Sequence, residues 1–155
     1  MLVYRICTQD ELSILLNERS LDNVAMYCEI DDRVNTHKYK KDKKYIHFFS
    51  EYGDVFYYDS KERRFICTYD ISEDILENSK GIGYYLDRYL LRYIQKVPEY
   101  AVESDLVSFD DLKLVEEMTD NIFYEDYVDD EYRDKIQMVY QADSKSLKKV
   151  IRNSR

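Results

Sequence analysis

Arg64-Phe65-Ile66-Cys67-Thr68-Tyr69-Asp70-Ile71 is the stretch on which the reading of the fold turns. Aromatic and β-branched side chains dominate it and polar residues bound it, so it predicts a strand, with Cys67 as a small core residue. Ser72 follows and fits the cap of a short helix over Glu73–Asn78.

Upstream, Leu2–Ile6 predicts a first strand. Thr8-Gln9-Asp10-Glu11 has the form of a capping box, and Leu12, Leu15 and Leu16 follow at helical spacing, so a helix is expected from Gln9 to Asn17. Asn23–Glu29 is a weaker strand, followed by a polar stretch to Lys44. Tyr45-Ile46-His47-Phe48-Phe49 is apolar, aromatic and bounded by polar residues, and predicts another strand. Gly53 interrupts it, and Val55–Tyr58 fits either a strand or a short helix.

Downstream, Lys80-Gly81-Ile82-Gly83 reads as a loop. Leu86, Tyr89, Leu90 and Tyr93 recur at i, i+3, i+4 and i+7, which predicts a helix over Tyr84–Ile94. Pro98 opens a strand, Glu99–Val102, and Leu106–Phe109 suggests one more. Asp110 is placed to cap a helix reaching Met118. Tyr132, Ile136, Val139 and Tyr140 lie on one face of a further helix. The expected class is α+β in one domain, 1–155, with a core over about 2–112 and an acidic helical C-terminal region over 113–155.

Composition agrees with a packed domain. The 155 residues include 45% hydrophobic and 15% aromatic side chains, too many for a disordered chain. Seventeen Tyr stand beside no Trp, and three Gly with one Pro argue against a turn-dense sandwich. Three widely spaced Cys, none in a Cys-x-x-Cys pair, give neither a disulfide framework nor a cysteine zinc site, and suit a cytoplasmic setting. No apolar run approaches the ~18–20 residues of a membrane span, so no membrane association is expected.

Charge is uneven. The net charge is -9, yet Glu103–Glu131 alone carries twelve acids against Lys113, leaving the remainder slightly basic. Sequence-independent nucleic-acid binding needs a net basic face, which bulk charge does not supply. Lys38, Lys40, Lys41, Lys43 and Lys44 form a local exception that fits a solvated loop or a phosphate contact. Gly81-Ile82-Gly83 lacks the lysine and serine of a phosphate loop, and His37 and His47 alone do not make a histidine metal site.

Several short segments, taken in order, resemble the ADP-ribosyltransferase superfamily, nearest in pattern to the toxins that ADP-ribosylate thymidine in DNA. Tyr4-Arg5-Ile6-Cys7-Thr8 is similar to their first strand. Asp32-Arg33-Val34-Asn35-Thr36-His37 is similar to their polar loop. Tyr45-Ile46-His47-Phe48-Phe49-Ser50 and Val55-Phe56-Tyr57-Tyr58 are similar to the aromatic strand and the turn that follows. Pro98-Glu99-Tyr100-Ala101-Val102 is similar to their glutamate-bearing strand.

The resemblance implies a split antiparallel sheet with peripheral helices, NAD as substrate, and ADP-ribose transfer to a macromolecular acceptor, protein or nucleic acid. It implies that Glu99 stabilises the oxocarbenium-like state as nicotinamide leaves, with Arg33 as a second catalytic group. Tyr4, Arg5, His37, Phe49 and Ser50 would contact NAD, with Tyr52, Tyr57 and Tyr58 available to stack on nicotinamide. Read from the residues alone, Glu99 also fits a solvated strand edge, Glu103 competes for its role, and Arg5 fits a pairing with one of many acids. A non-catalytic interaction protein of the antitoxin, immunity or phage-inhibitor kind, working through its acidic surface, is the alternative function. A cleft shared by Arg5 and Glu99 would favour the enzyme.

Overall fold

The computed structural model describes residues 1–28, 38–57, 64–87, 92–118 and 136–141. Strand β1 (Leu2–Thr8) leads directly into helix α1 (Gln9–Glu18). The Thr8 hydroxyl accepts from the Glu11 amide at 3.4 Å, which is half of the expected capping box. The Glu11 carboxylate is used elsewhere, on Arg5. β2 is only Met26–Tyr27, and β3 is Lys44–Phe49. Tyr52–Tyr57 forms a 3-10 turn, settling the choice left open at Val55.

β4 (Arg64–Asp70) is the strand on which the reading began, and every residue from Arg64 to Tyr69 is buried. Central placement explains its unbroken apolar character, since both of its faces are covered. Ser72 precedes α2 (Glu73–Glu77) without a side-chain capping bond.

Four expectations fail beyond this point. The helix expected over Tyr84–Ile94, and the loop before it, are an antiparallel pair: β5 (Lys80–Asp87) and β6 (Arg92–Glu103). The strand expected at Leu106–Phe109 is replaced by two short 3-10 turns, Ser104–Leu106 and Phe109–Asp111. β7 (Leu112–Met118) stands where a helix from Asp110 was expected. Finally, β8 (Ile136–Gln141) pairs with β7, so the helical face drawn through Ile136, Val139 and Tyr140 is wrong and Tyr132 lies outside the described residues. The described part of 113–155 is therefore strand, not helix.

One physical cause covers the helical misses. For the three expected helices, apolar residues at helical spacing also fit a strand, and spacing alone does not separate the two. Long-range partners decide instead, β6 against β3 and β7 against β4.

The described strands form one antiparallel sheet in the order β5-β6-β3-β1-β4-β7-β8, with β2 added beside β3. The class is α+β. β1 pairs β4 continuously from Leu2 to Thr8 but meets β3 at a single paired position, Tyr4 with Phe49. The blocks on either side of that narrow joint, β5-β6-β3 and β1-β4-β7-β8, belong to one continuous sheet.

Each face has its own core. Alternation sends Val3, Cys7, Phe48, Phe65, Cys67 and Tyr69 to the face covered by Leu12 and Leu15 of α1 and Leu76 of α2. Ile6, Phe49, Ile66 and Val97 point the other way, under Val55 and Phe56 of the first 3-10 turn. Side chains of this size contribute roughly 1.5–3 kcal/mol each when fully buried. Among the described residues, no helix is long and apolar enough to cross a membrane.

Candidate functional site

Antiparallel partners share a face, so the pairings Tyr4–Phe49, Phe49–Glu99 and Glu99–Gly81 draw one row across β1, β3, β6 and β5. Three residues expected at the site, Tyr4, Phe49 and Glu99, therefore lie side by side. Ser50 is held next to them: its amide and hydroxyl both donate to the Pro98 carbonyl, at 3.4 and 3.2 Å. The missing amide of Pro98 points to that same side, just past the end of β3, so no ladder bond is lost there.

Glu99 is not a solvated edge residue. It is buried, at 6% exposure. Room for its carboxylate comes from Gly83, diagonally across on β5: a Cβ there would stand 2.7 Å from the carboxyl carbon and from both oxygens. The Tyr85 hydroxyl donates to Glu99 Oε2 at 2.7 Å. Tyr85 is itself packed against Phe49, with ring centroids 5.3 Å apart. A cavity of about 370 Å³ is lined by Ser50, Lys80, Gly81, Ile82, Pro98, Glu99 and Tyr100; the register puts Lys80, Ile82, Pro98 and Tyr100 on the face opposite the Glu99 side chain. The cavity lies at the small end of the ~300–1,000 Å³ usual for ligand sites.

Arg5 is not part of this row. It follows Tyr4 and so projects to the opposite face, where its Nε and Nη2 donate to Glu11 Oε2 and Oε1 at 2.8 and 2.7 Å. Burial opposes the guanidinium charge, but the Glu11 carboxylate and its hydrogen bonds more than offset this and hold the group firmly protonated. Nη1 donates to the His47 carbonyl at 3.0 Å. Arg5 thus fastens α1 to β3 across the joint between the blocks. Arg5 and Glu99 do not share a cleft.

Other expected residues fall in different places. Arg33 and His37 lie outside the described residues, as does Tyr58. Tyr52 stays on the Glu99 face, edge-on to Tyr4 at 5.5 Å, with its hydroxyl donating to Glu116 Oε2 at 3.1 Å. Desolvation pushes the Glu116 carboxyl up, and the Tyr52 bond partly counters it. Glu103 shares the Glu99 face further along β6, where it pairs with Lys40 at 3.1 Å.

Four residues here had no part in the site as read from the sequence. Gly83 read as a loop glycine and Tyr85 as helical. His47 stood in the aromatic strand without a role of its own and Tyr39 was not singled out, yet Tyr39 Oη and His47 Nε2 are hydrogen-bonded at 2.8 Å. A larger cavity, about 680 Å³, opens past the start of β5 among Lys38, Lys40, Lys80, Asp74, Glu77 and Glu103. Its charges are mixed and partly paired, as in Lys80 with Glu77 at 2.9 Å. Among the described residues no cluster of His, Cys, Asp and Glu is arranged to hold a metal ion. Compared with protein-family models, with curated proteins and with solved structures, the chain finds no match.

Proposed function

We propose that this chain is an NAD-dependent ADP-ribosyltransferase-like protein, with NAD as substrate and a macromolecular acceptor of ADP-ribose. The observation that carries the reading is the Tyr4–Phe49–Glu99 row at the joint of a sheet in two blocks. A buried carboxylate held in one position suits the chemistry. Departure of nicotinamide leaves positive charge on the ribose, and a fixed anion in a dry setting opposes that charge without reorganising. Gly83 and Tyr85 keep the Glu99 carboxylate in place. Tyr4 is half-buried next to it, Phe49 packs beneath Val55 and Phe56 as part of the core, and Ser50 lines the cavity. Arg5 has a structural part in this proposal, not a ligand-binding one. A cytoplasmic setting belongs to the same proposal.

The interaction-protein alternative draws on the acidic stretch 103–131. Among the described residues part of that charge is built into the sheet, with Glu117 only 7% exposed. Turnover tests the enzyme reading. Nicotinamide release from NAD should fall about 100-fold to 1,000-fold in Glu99→Gln, the usual loss for one electrostatic contact to the transition state. Glu103→Gln should leave it unchanged. Equal rates in wild type and Glu99→Gln sink the assignment, and loss confined to Glu103→Gln moves it to that residue.

A further inference from the structure

We infer that Cys7 and Cys67 are a redox couple, which hydrogen peroxide closes into a disulfide joining β1 to β4 and a small thiol opens again. The inference stands apart from the NAD reading. The two cysteines are 60 residues apart in the chain, yet their sulfurs lie 3.5 Å from each other. Strand register brings this about. Cys7 pairs with Phe65 and Arg5 pairs with Cys67, so the cysteines are diagonal neighbours on the face that α1 covers. The third cysteine, Cys28, bonds instead to the Met26 carbonyl.

Diagonal neighbours stand about 7–8 Å apart at Cα, wider than the ~4.4–6.8 Å of a relaxed disulfide. Closing the bond must draw β4 toward β1. β4 has slack at this point: its register against β7 shifts between Thr68 and Tyr69, and the buried Tyr69 hydroxyl has no hydrogen-bond partner among the described residues. A disulfide closed against such resistance is readily reduced, which makes the pair a reversible switch and not a permanent staple.

The surroundings set the rate. Cys67 is fully buried and Cys7 is 7% exposed, so the oxidant must be small and uncharged, as hydrogen peroxide is. The bond to Cys67 and burial push the Cys7 thiol up, the Glu11 charge adds to this, and the Arg5 guanidinium counters it in part. Burial also keeps the Tyr69 hydroxyl of the same cluster protonated. Cys7 is therefore a thiol at neutral pH, and its oxidation quickens as pH rises, because the thiolate is the nucleophile.

The chemistry needs no other reactant. A sulfur attacks one peroxide oxygen, the O–O bond breaks, and the departing hydroxide takes up the thiol proton as water. The second sulfur attacks the sulfenic acid so formed, the S–O bond breaks, and a second water leaves. The two thiols together lose two electrons, which the peroxide gains.

The test treats the whole folded chain with hydrogen peroxide over a pH series, in wild type and in Cys28→Ser, with a parallel sample in urea. Each sample is then unfolded in an alkylating reagent and its intact mass read. Folded wild type should lose two of its three alkylation sites and about 2 Da, with peptide mapping linking Cys7 to Cys67. Dithiothreitol should restore all three sites. Cys28→Ser should close the bond equally well, and the closing rate should rise about tenfold per unit between roughly pH 6 and 8. Three sites still open to alkylation overturn the inference. So does oxygen added to either cysteine without a link, or a link that forms only in urea.

Discussion

The carboxylate of Glu99 lies so close over Gly83 that a single added methyl would sit 2.7 Å from both of its oxygens. Glycine inside a strand weakens it and often marks a close approach, which here is made by a buried anion. The pair is the clearest sign that the hairpin of β5 and β6 serves a site.

Gly83→Ala should therefore act on Glu99 from a distance of one strand. The methyl displaces the carboxylate from the Tyr85 hydroxyl, and overpacking of this kind costs about 1–3 kcal/mol. NAD cleavage should fall about as far as in Glu99→Gln. Unfolding in denaturant and a rate assay check both halves, and an alanine variant with unchanged stability and rate contradicts the geometry.

Arg5 and Glu11 form a bidentate pair with side chains only 21% and 10% exposed. Arg5→Met strands the Glu11 carboxylate, and breaking such a pair costs about 3–5 kcal/mol. Changing both residues to Met should recover most of that loss, because two charges leave together. NAD binding should survive in the double variant. A double variant as unstable as the single, or one that has lost NAD, contradicts the structural part given to Arg5.

The first half of the fold was legible because its signals are local. Thr8 with Glu11 marks α1, and bounded aromatic runs mark β3 and β4. The second half was not. Tyr84–Ile94 and Leu112–Met118 carry apolar residues at spacings that a helix satisfies, and only their partners, β6 with β3 and β7 with β4, make them strands. The site was half visible. Tyr4, Phe49 and Glu99 were named from the sequence and lie in one row, but Arg5, expected to contact NAD, projects to the other face and pairs with Glu11, the reading the sequence had left as the alternative. Gly83, Tyr85, Tyr39 and His47 act through cross-strand and loop contacts that leave no spacing in the chain.

Asp54 gives a pH signature in the turn that covers the Glu99 face. Burial, with the Glu51 charge adding to it, pushes its carboxyl up to about 6 from the ordinary 3.8. The folded chain then holds the proton more tightly than the unfolded one, so this group's contribution to stability falls as pH rises between those two values. Asp54→Asn should remove that fall and gain stability relative to wild type toward neutral pH. Melting temperatures of both proteins from about pH 4 to pH 7 check it. Parallel profiles contradict the burial of Asp54.

The central claim is that NAD binds at the row through Tyr4, Phe49 and Glu99, and calorimetric titration of the whole chain with NAD tests it most directly. The account predicts saturable heat with a Kd in the micromolar range, on the order of −8 kcal/mol, and weaker binding in Tyr4→Ala. Absence of heat and of any thermal shift with NAD in the millimolar range would contradict it.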